Sequence, residues 1–352
     1  LLNIKFIECI IPIENNFRKI AVLEADCRDE IKNSINRDVL NLNILVIYTY
    51  LWYKEAAVIY KTVETIIGNT PLVELEYINK TSNTILVKLE GHNPGGSVKD
   101  RAALNMIIQA EKYGELKPGD RIIEATSGNT GIALSMIAAI KGYKITLVMP
   151  DTASIERRKV MRAYGAEIVL TSSRRGMEAA IDRVRNMEKN KEGVILDQFS
   201  NPANPEAHYK GTGPELWEQT SGNLDYFVSA MGTTGTIMGT SRFLKEKNPS
   251  VLIVGVQPEK GAKIPGIRKW SAEYLPVFFQ RERIDEIIEV SQDAAWKTAR
   301  MLAEEEGIFC GISGGGNIAA VLRLADKLEN KIITAIIPDK GDRYLSTGVF
   351  PG

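Results

Sequence analysis

RIIEATSGNTGIALSMIAAIKGYKITLVMP (Arg121–Pro150) carries the reading that decides the fold. Arg121–Thr126 and Lys144–Pro150 are β-rich, and the apolar stretch between them has the composition of a helix. A strand, a glycine turn, a helix and a second strand make one crossover unit, which implies parallel strands. Lys144–Pro150 contains a continuous apolar run instead of an alternating one, as a strand covered on both faces requires. The turn TSGNT opens the helix, where unpaired N–H groups and a partial positive charge favour an anion.

The same alternation extends in both directions. Further β-rich runs are ILVKLE (85–90), EIVLT (167–171), VILDQF (194–199), YFVSAM (226–231), VLIVGVQP (251–258) and KIITAIIP (331–338). Helical stretches such as IERRKVMRAYGA and AAWKTARMLAEEEG separate them. The pattern predicts an α/β protein with mostly parallel sheets and flanking helices, in two domains with the ligand cleft between them. The segment 199–215, dense in Pro, Gly and Asn, breaks the alternation and marks the expected boundary. The expected division is 61–205 and 206–352. Residues 1–60 contain no glycine, are rich in Asn, Ile and Leu, and read as an extension outside this pattern.

Composition narrows the function. Lys and Arg total 44 and Asp and Glu total 44, so no broad attraction to nucleic acid or an acidic membrane is expected. The apolar run Leu40–Tyr53 is shorter than the roughly 20 residues of a spanning helix. Three cysteines without C-x-x-C spacing argue against a disulfide framework or a metal site, and favour a cytoplasmic setting. The two histidines, His92 and His208, are too far apart for HExxH zinc chemistry, and no G-x-S-x-G elbow accompanies them.

Two more glycine-containing loops are read as following strands and opening helices: Gly232–Thr236 (GTTGT) and Gly311–Asn317 (GISGGGN). GTTGT lacks the Lys-Ser/Thr of a P-loop, and none of the three stretches matches G-x-G-x-x-G. GTTGT suits an isolated phosphate held by backbone amides and hydroxyls, and TSGNT suits a carboxylate. A lone lysine, Lys99, follows the tight turn Pro94-Gly95-Gly96 and precedes a helix. Phosphate site, carboxylate site and lysine together point to pyridoxal phosphate bound with an amino acid. A lysine amine serves as a base only when its surroundings lower its pKa, so Lys99 is expected to be largely buried.

The motifs TIIGNTPLVEL, NPGGSVKDR, EATSGNTGIAL, LDQFSNPANP and GTTGT, in this order, resemble the cysteine synthase family of pyridoxal-phosphate enzymes. IPGIRKWSAEYLP, EEGIFCGIS and GDRYLSTGVF narrow the resemblance to the family's B type. It spans about residues 62–350 and implies the tryptophan-synthase-β-like fold, fold type II among these enzymes, in a homodimer. It also implies that Thr62–Gly91 packs partly with the C-terminal domain. The activity implied is exchange of the acetate of O-acetyl-L-serine for sulfide or thiosulfate, giving L-cysteine or S-sulfocysteine.

The resemblance also implies roles for residues. Lys99 matches the lysine that forms the Schiff base, and Asn129 the partner of the cofactor's ring hydroxyl. Thr126, Ser127, Gly128 and Thr130, with Gln198, match the residues that grip the substrate carboxylate. Gly232, Thr233, Thr234, Gly235 and Thr236 match the phosphate cradle, and Ser313 the partner of the pyridine nitrogen. Arg268 matches an arginine linked to thiosulfate. Its neighbour Lys269 stands where a second arginine is usual, and Gly314 where a second serine is common. Cystathionine β-synthase, serine or threonine dehydratase, and a non-catalytic binding protein on the same scaffold are the rival readings.

Overall fold

The computed structural model describes residues 60–350 together with two earlier strands, 4–13 and 16–25. These are β1 (Ile4–Ile13) and β2 (Asn16–Ala25), paired antiparallel with Ile4 opposite Ala25. They belong to a unit, Leu1–Lys61, separate from the compact unit Thr62–Gly352. The run Leu40–Tyr53 lies outside the described residues. Among the described residues no helix is long and apolar enough to cross a membrane.

The larger unit begins with β3 (Leu72–Glu74), β4 (Thr84–Leu89) and α1 (Lys99–Tyr113). The stretch that opened the reading then forms β5 (Arg121–Ala125), α2 (Asn129–Lys141) and β6 (Lys144–Pro150). Next come α3 (Ile155–Ala163), β7 (Glu167–Thr171), α4 (Gly176–Lys189) and β8 (Val194–Ile195). After α5 (Ala203–Ala207) and α6 (Gly213–Gln219) follow β9 (Tyr226–Ala230), α7 (Gly235–Lys247), β10 (Leu252–Pro258) and β11 (Glu286–Val290). The chain continues through α8 (Gln292–Glu305), α9 (Ile312–Ala325) and β12 (Ile332–Ile337).

Two sheets result. One is four-stranded, in the order β7-β6-β5-β8, and wholly parallel. The other has the order β11-β10-β9-β12-β4-β3 and is parallel except for β3. The strands that precede Lys99 therefore join the sheet of the C-terminal strands, with Ile85 opposite Ile333. Every residue of β6 after Lys144 is buried, as the unbroken apolar run requires. Helix α2 is buried continuously from Thr130 to Ala138 and ends at Gly142, whose φ of 76° suits a left-handed cap.

Several local readings change. VILDQF yields only the two-residue β8, because Asp197 turns the chain with φ 48°. The 199–215 segment is largely helical: α5, a π-helical turn over His208–Thr212 and the start of α6 run on without a break. Its small residues serve close packing, since a Cβ on Gly213 would stand 2.8 Å from that of Phe243. Gly311–Asn317 follows no strand, and its glycines lie inside α9. A Cβ on Gly315 would stand 2.2 Å from the Ala295 carbonyl oxygen, so this glycine lets α8 and α9 touch.

Beneath the start of α1 lies a buried charge cluster. Arg101 reaches Glu90 through Nε at 2.7 Å and Nη2 at 2.8 Å, and Glu215 through Nη1 at 2.6 Å and Nη2 at 2.7 Å. Lys88, fully buried, adds an ion pair to Glu215 at 2.9 Å and donates to the Thr70 carbonyl. Desolvation works to raise the Glu215 pKa, but the hydrogen bonds from Arg101 prevail and hold it at about 2. Removing one partner from such a cluster strands a buried charge. Arg101→Ala should therefore cost about 3–5 kcal/mol in urea unfolding of the holoprotein. A loss below about 1 kcal/mol, the range of surface pairs, would show the cluster to be dispensable.

Candidate active site

The candidate residues stand at the carboxyl ends of four parallel strands. β4 leads towards Lys99, β5 into Thr126–Thr130, β9 into Gly232–Thr236 and β12 into Asp339. In open α/β sheets this is where ligands bind, because the following helices present their N-termini there.

A ring of contacts joins these ends. The Asn129 side-chain amide donates to Asp339 at 2.7 Å, and the Asp339 carbonyl accepts the Gly311 N–H at 3.0 Å. Gly311 caps α9, whose second residue is Ser313. A Cβ on Gly266 would lie 3.2 Å from Ser313 Oγ, and a Cβ on Gly232 would lie 2.7 Å from the Gly266 carbonyl oxygen. Beside Gly232, Thr233 Oγ1 accepts from Asn204 at 3.2 Å, and Asn204 also donates to the Gln198 carbonyl at 2.8 Å. Thr130 Oγ1 closes the ring by donating to Gln198 Oε1 at 2.6 Å. Within TSGNT, Gly128 N–H meets Thr126 Oγ1 at 3.4 Å, and Ser127 lies over the Met177 sulfur at 3.9 Å.

Lys99 enters beside Asp339, since Ser97 forms a β-bridge with that residue. Lys99 is half-buried, where the sequence predicted a largely buried lysine. Desolvation nonetheless lowers its pKa, against the pull of Asp339, Glu90 and Asp100. Among the described residues its amine has no ion pair within 4.0 Å. A neutral amine is thereby more accessible near pH 7 than for a solvated lysine.

Thr234 has φ 66°, a left-handed conformation rare for threonine, at the N-cap of α7. Its Oγ1 is buried without a partner. An orphaned hydroxyl beside the free N–H groups of a 13-residue helix fits a phosphate. Thr236 Oγ1 contacts His208 Nε2 at 3.3 Å, and His208 Nδ1 contacts Thr212 Oγ1 at 2.9 Å. Burial, then Arg101, push the His208 pKa to about 3, so the imidazole stays neutral beside the loop. These residues fit pyridoxal phosphate: an available amine, a carboxylate-sized loop and a donor-rich cradle lie around one ring.

Arg268 is exposed, with its guanidinium 5.9 Å from the Phe199 ring centre and 5.1 Å from that of Trp270. Lys269 is committed to an ion pair with Glu289. At Gly314 a Cβ would meet Cys310 Sγ at 3.2 Å, which explains the small residue there. Cys310 itself is buried, and burial followed by the Asp339 charge pushes its thiol up to about 12. A cavity of about 260 Å³ over β11, lined by Glu286, Glu289, Arg323 and Lys327 among others, contains none of the site residues. No cluster suited to a metal ion is found among the described residues.

Sequence reading gave no role to Asp339, Arg343, Asn204 or His208. Arg343 donates to Asn129 Oδ1 and to the Gly95 carbonyl, so the C-terminal segment reaches both the lysine turn and the asparagine. The available signal was positional: Asp339 lies two residues beyond β12, and Asn204 sits in the NPANP motif.

The chain belongs to the pyridoxal-phosphate dependent enzymes, whose family model matches residues 63–339. Within that class it is a member of the cysteine synthase family. It is 58% identical to cysteine synthase B of Pseudomonas aeruginosa over 292 residues, 83% of this chain and 98% of that protein. Identity to cysteine synthase A of Escherichia coli is 45% over 303 residues, 81% and 93% of the two chains. The crystal structure of cysteine synthase from Entamoeba histolytica matches with a TM-score of 0.80 at 43% identity, covering 84% of this chain and 92% of that one. The fold is thus the tryptophan-synthase-β-like one, and the cofactor is pyridoxal 5'-phosphate.

Thr234→Ala tests the cradle. Loss of a hydrogen bond to a charged group should raise the dissociation constant for pyridoxal phosphate roughly 10-fold or more, read by cofactor absorbance at equilibrium. An unchanged constant would take Thr234 out of the phosphate site.

Proposed function

We propose that this enzyme replaces the acetate of O-acetyl-L-serine with sulfide, releasing L-cysteine and acetate. The observation that carries the reading is Lys99, its amine pKa lowered by burial, beside a ring joining both anion-suited loops, TSGNT and GTTGT. The higher identity to a B-type relative than to an A-type one supports the same assignment.

Gly232, Thr233, Thr234, Gly235 and Thr236 would hold the phosphate, Asn129 the ring hydroxyl, Ser313 the ring nitrogen, and Lys99 the aldehyde carbon. Pyridoxal phosphate, when bound, supplies the electron sink that makes the substrate Cα–H acidic. Thr126, Ser127, Gly128 and Thr130, with Gln198, grip the substrate carboxylate and so orient Cα–H towards Lys99. The Lys99 amine takes that proton and returns it to Cα once sulfur has added at Cβ and acetate has left. Ser313 offers a neutral hydroxyl where a carboxylate would draw electrons more fully into the ring. This favours loss of the β-substituent over transamination.

Arg268 supports a second donor, thiosulfate, because an exposed guanidinium beside two aromatic rings is free to meet an anion. The ion pair of Lys269 with Glu289 withdraws the neighbouring charge from that task. The reading also places the enzyme in the cytoplasm as a homodimer acting on small molecules, without nucleic acid or membrane. Retention of Lys99, Asn129 and Ser313 argues against a non-catalytic binding protein.

Purified holoenzyme given O-acetyl-L-serine with sulfide or thiosulfate should yield L-cysteine or S-sulfocysteine. Pyruvate as the main product would favour a dehydratase, and activity on serine with homocysteine would favour cystathionine β-synthase. Lys99→Ala should lower turnover by roughly 10²–10⁴-fold or more. Borohydride should then no longer fix the cofactor to the chain. Normal turnover in that variant would defeat the assignment.

A further inference from the structure

Glu124 is the last glutamate before the TSGNT turn, and the proposed chemistry gives it no task. It is 3% exposed at the end of β5, and no cation lies within ion-pair distance of it among the described residues. Its Oε2 accepts the backbone N–H of Asp197 at 3.1 Å. The N–H groups of Leu196 and Gln198 also stabilise its charged form, while burial and then the Asp197 carboxylate push its pKa up to about 8. Three successive N–H groups turned towards one carboxylate form an anion nest.

The nest exists because Asp197 adopts φ 48°, an unusual conformation for a residue with a side chain. Its own carboxylate holds the turn, accepting from Phe199 N–H at 3.1 Å and Ser200 Oγ at 2.6 Å. The next residue is Gln198, whose Oε1 accepts from Thr130 at 2.6 Å. One short segment thus spans the space between a buried acid and the carboxylate loop.

We propose that Glu124 is a positioning residue for substrate recognition, filling the nest at Leu196–Gln198 and thereby aiming the Gln198 side chain at the loop Thr126–Thr130. This rests on the assignment of Gln198 to the substrate carboxylate. Glu124 touches neither substrate nor cofactor; it acts through the backbone of the residue that does. The charge matters because the carboxylate, the form present above a pH of about 8, offers only acceptors to the nest, whereas an amide turns an N–H₂ group towards N–H donors.

The test is a double-mutant cycle on the holoenzyme with Glu124→Gln, Gln198→Ala and both together. With O-acetyl-L-serine and sulfide at about pH 8.5, where most Glu124 is ionised, Glu124→Gln should raise KM for O-acetyl-L-serine about 10-fold, with kcat changed less than about twofold. The double variant should be no worse than Gln198→Ala, because residues acting through one another are not additive. An unchanged KM in Glu124→Gln, or effects that multiply in the double variant, would overturn the proposal. The same cycle is measured by titrating cofactor absorbance with L-alanine, which has a carboxylate but no leaving group. That readout tests Glu124 even if the wild type does not turn over O-acetyl-L-serine, a result that would count against the proposed reaction alone. Should Glu124→Gln fail to fold, Glu124→Asp keeps the charge on a shorter arm and enters the same cycle. It is expected to weaken L-alanine binding without adding to Gln198→Ala, and multiplying effects would overturn the proposal.

Discussion

The guanidinium of Arg101, held between Glu90 and Glu215, is the contact on which the placement of the reactive amine depends. Arg101 lies two residues beyond Lys99 in the first turn of α1. Through it that turn is tied to the end of β4 and to α6, while Lys88 links the same acid to the sheet itself. The arrangement is largely closed to water, with Glu90 and Lys88 fully buried and Glu215 slightly exposed. Desolvating these charges is expensive, and it is offset only while every partner is present. Helix propensity alone would leave the first turn of α1 free to fray; ionic partners on two other elements hold it.

A second constraint is the direction of the strands. Parallel pairing sends β4, β5, β9 and β12 into the cleft by their carboxyl ends, so residues far apart in sequence meet in one ring. Each link is short-range: an amide to a carboxylate, a hydroxyl to an amide, a glycine under a carbonyl. The anion-suited loops follow from the same geometry, because a parallel strand must be succeeded by a crossover that begins near its end. The site is therefore a product of topology before it is a product of particular side chains.

Much of this was legible in the residues. Unbroken apolar runs such as KITLVMP gave strand positions to within a residue, because burial on both faces leaves no polar alternation to confuse the reading. The motifs TSGNT and GTTGT were visible as helix-opening turns. β11 was not read as a strand because EIIEV carries glutamates at its first and fourth positions, Glu286 and Glu289, along a sheet edge. GISGGGN looked like another loop, since glycine that permits a turn and glycine that permits helix contact are the same letter. Asp339, Arg343 and Asn204 escaped notice because their parts depend on contacts across more than twenty residues of chain, which no local pattern reveals.

The glycine seam of α9 has a bearing on evolvability. Because Gly315 lets α9 press against the backbone of α8, the two helices form a stiff block, and Ser313 rides on its first turn. The rim beside Phe199, Arg268 and Trp270 is built differently, from largely irregular chain that includes an exposed Val277. On the role proposed for Arg268, that rim can be remodelled to admit a different incoming nucleophile while the block beneath it stays unchanged. Diversification on this scaffold is thus steered towards the choice of nucleophile and away from the type of bond change.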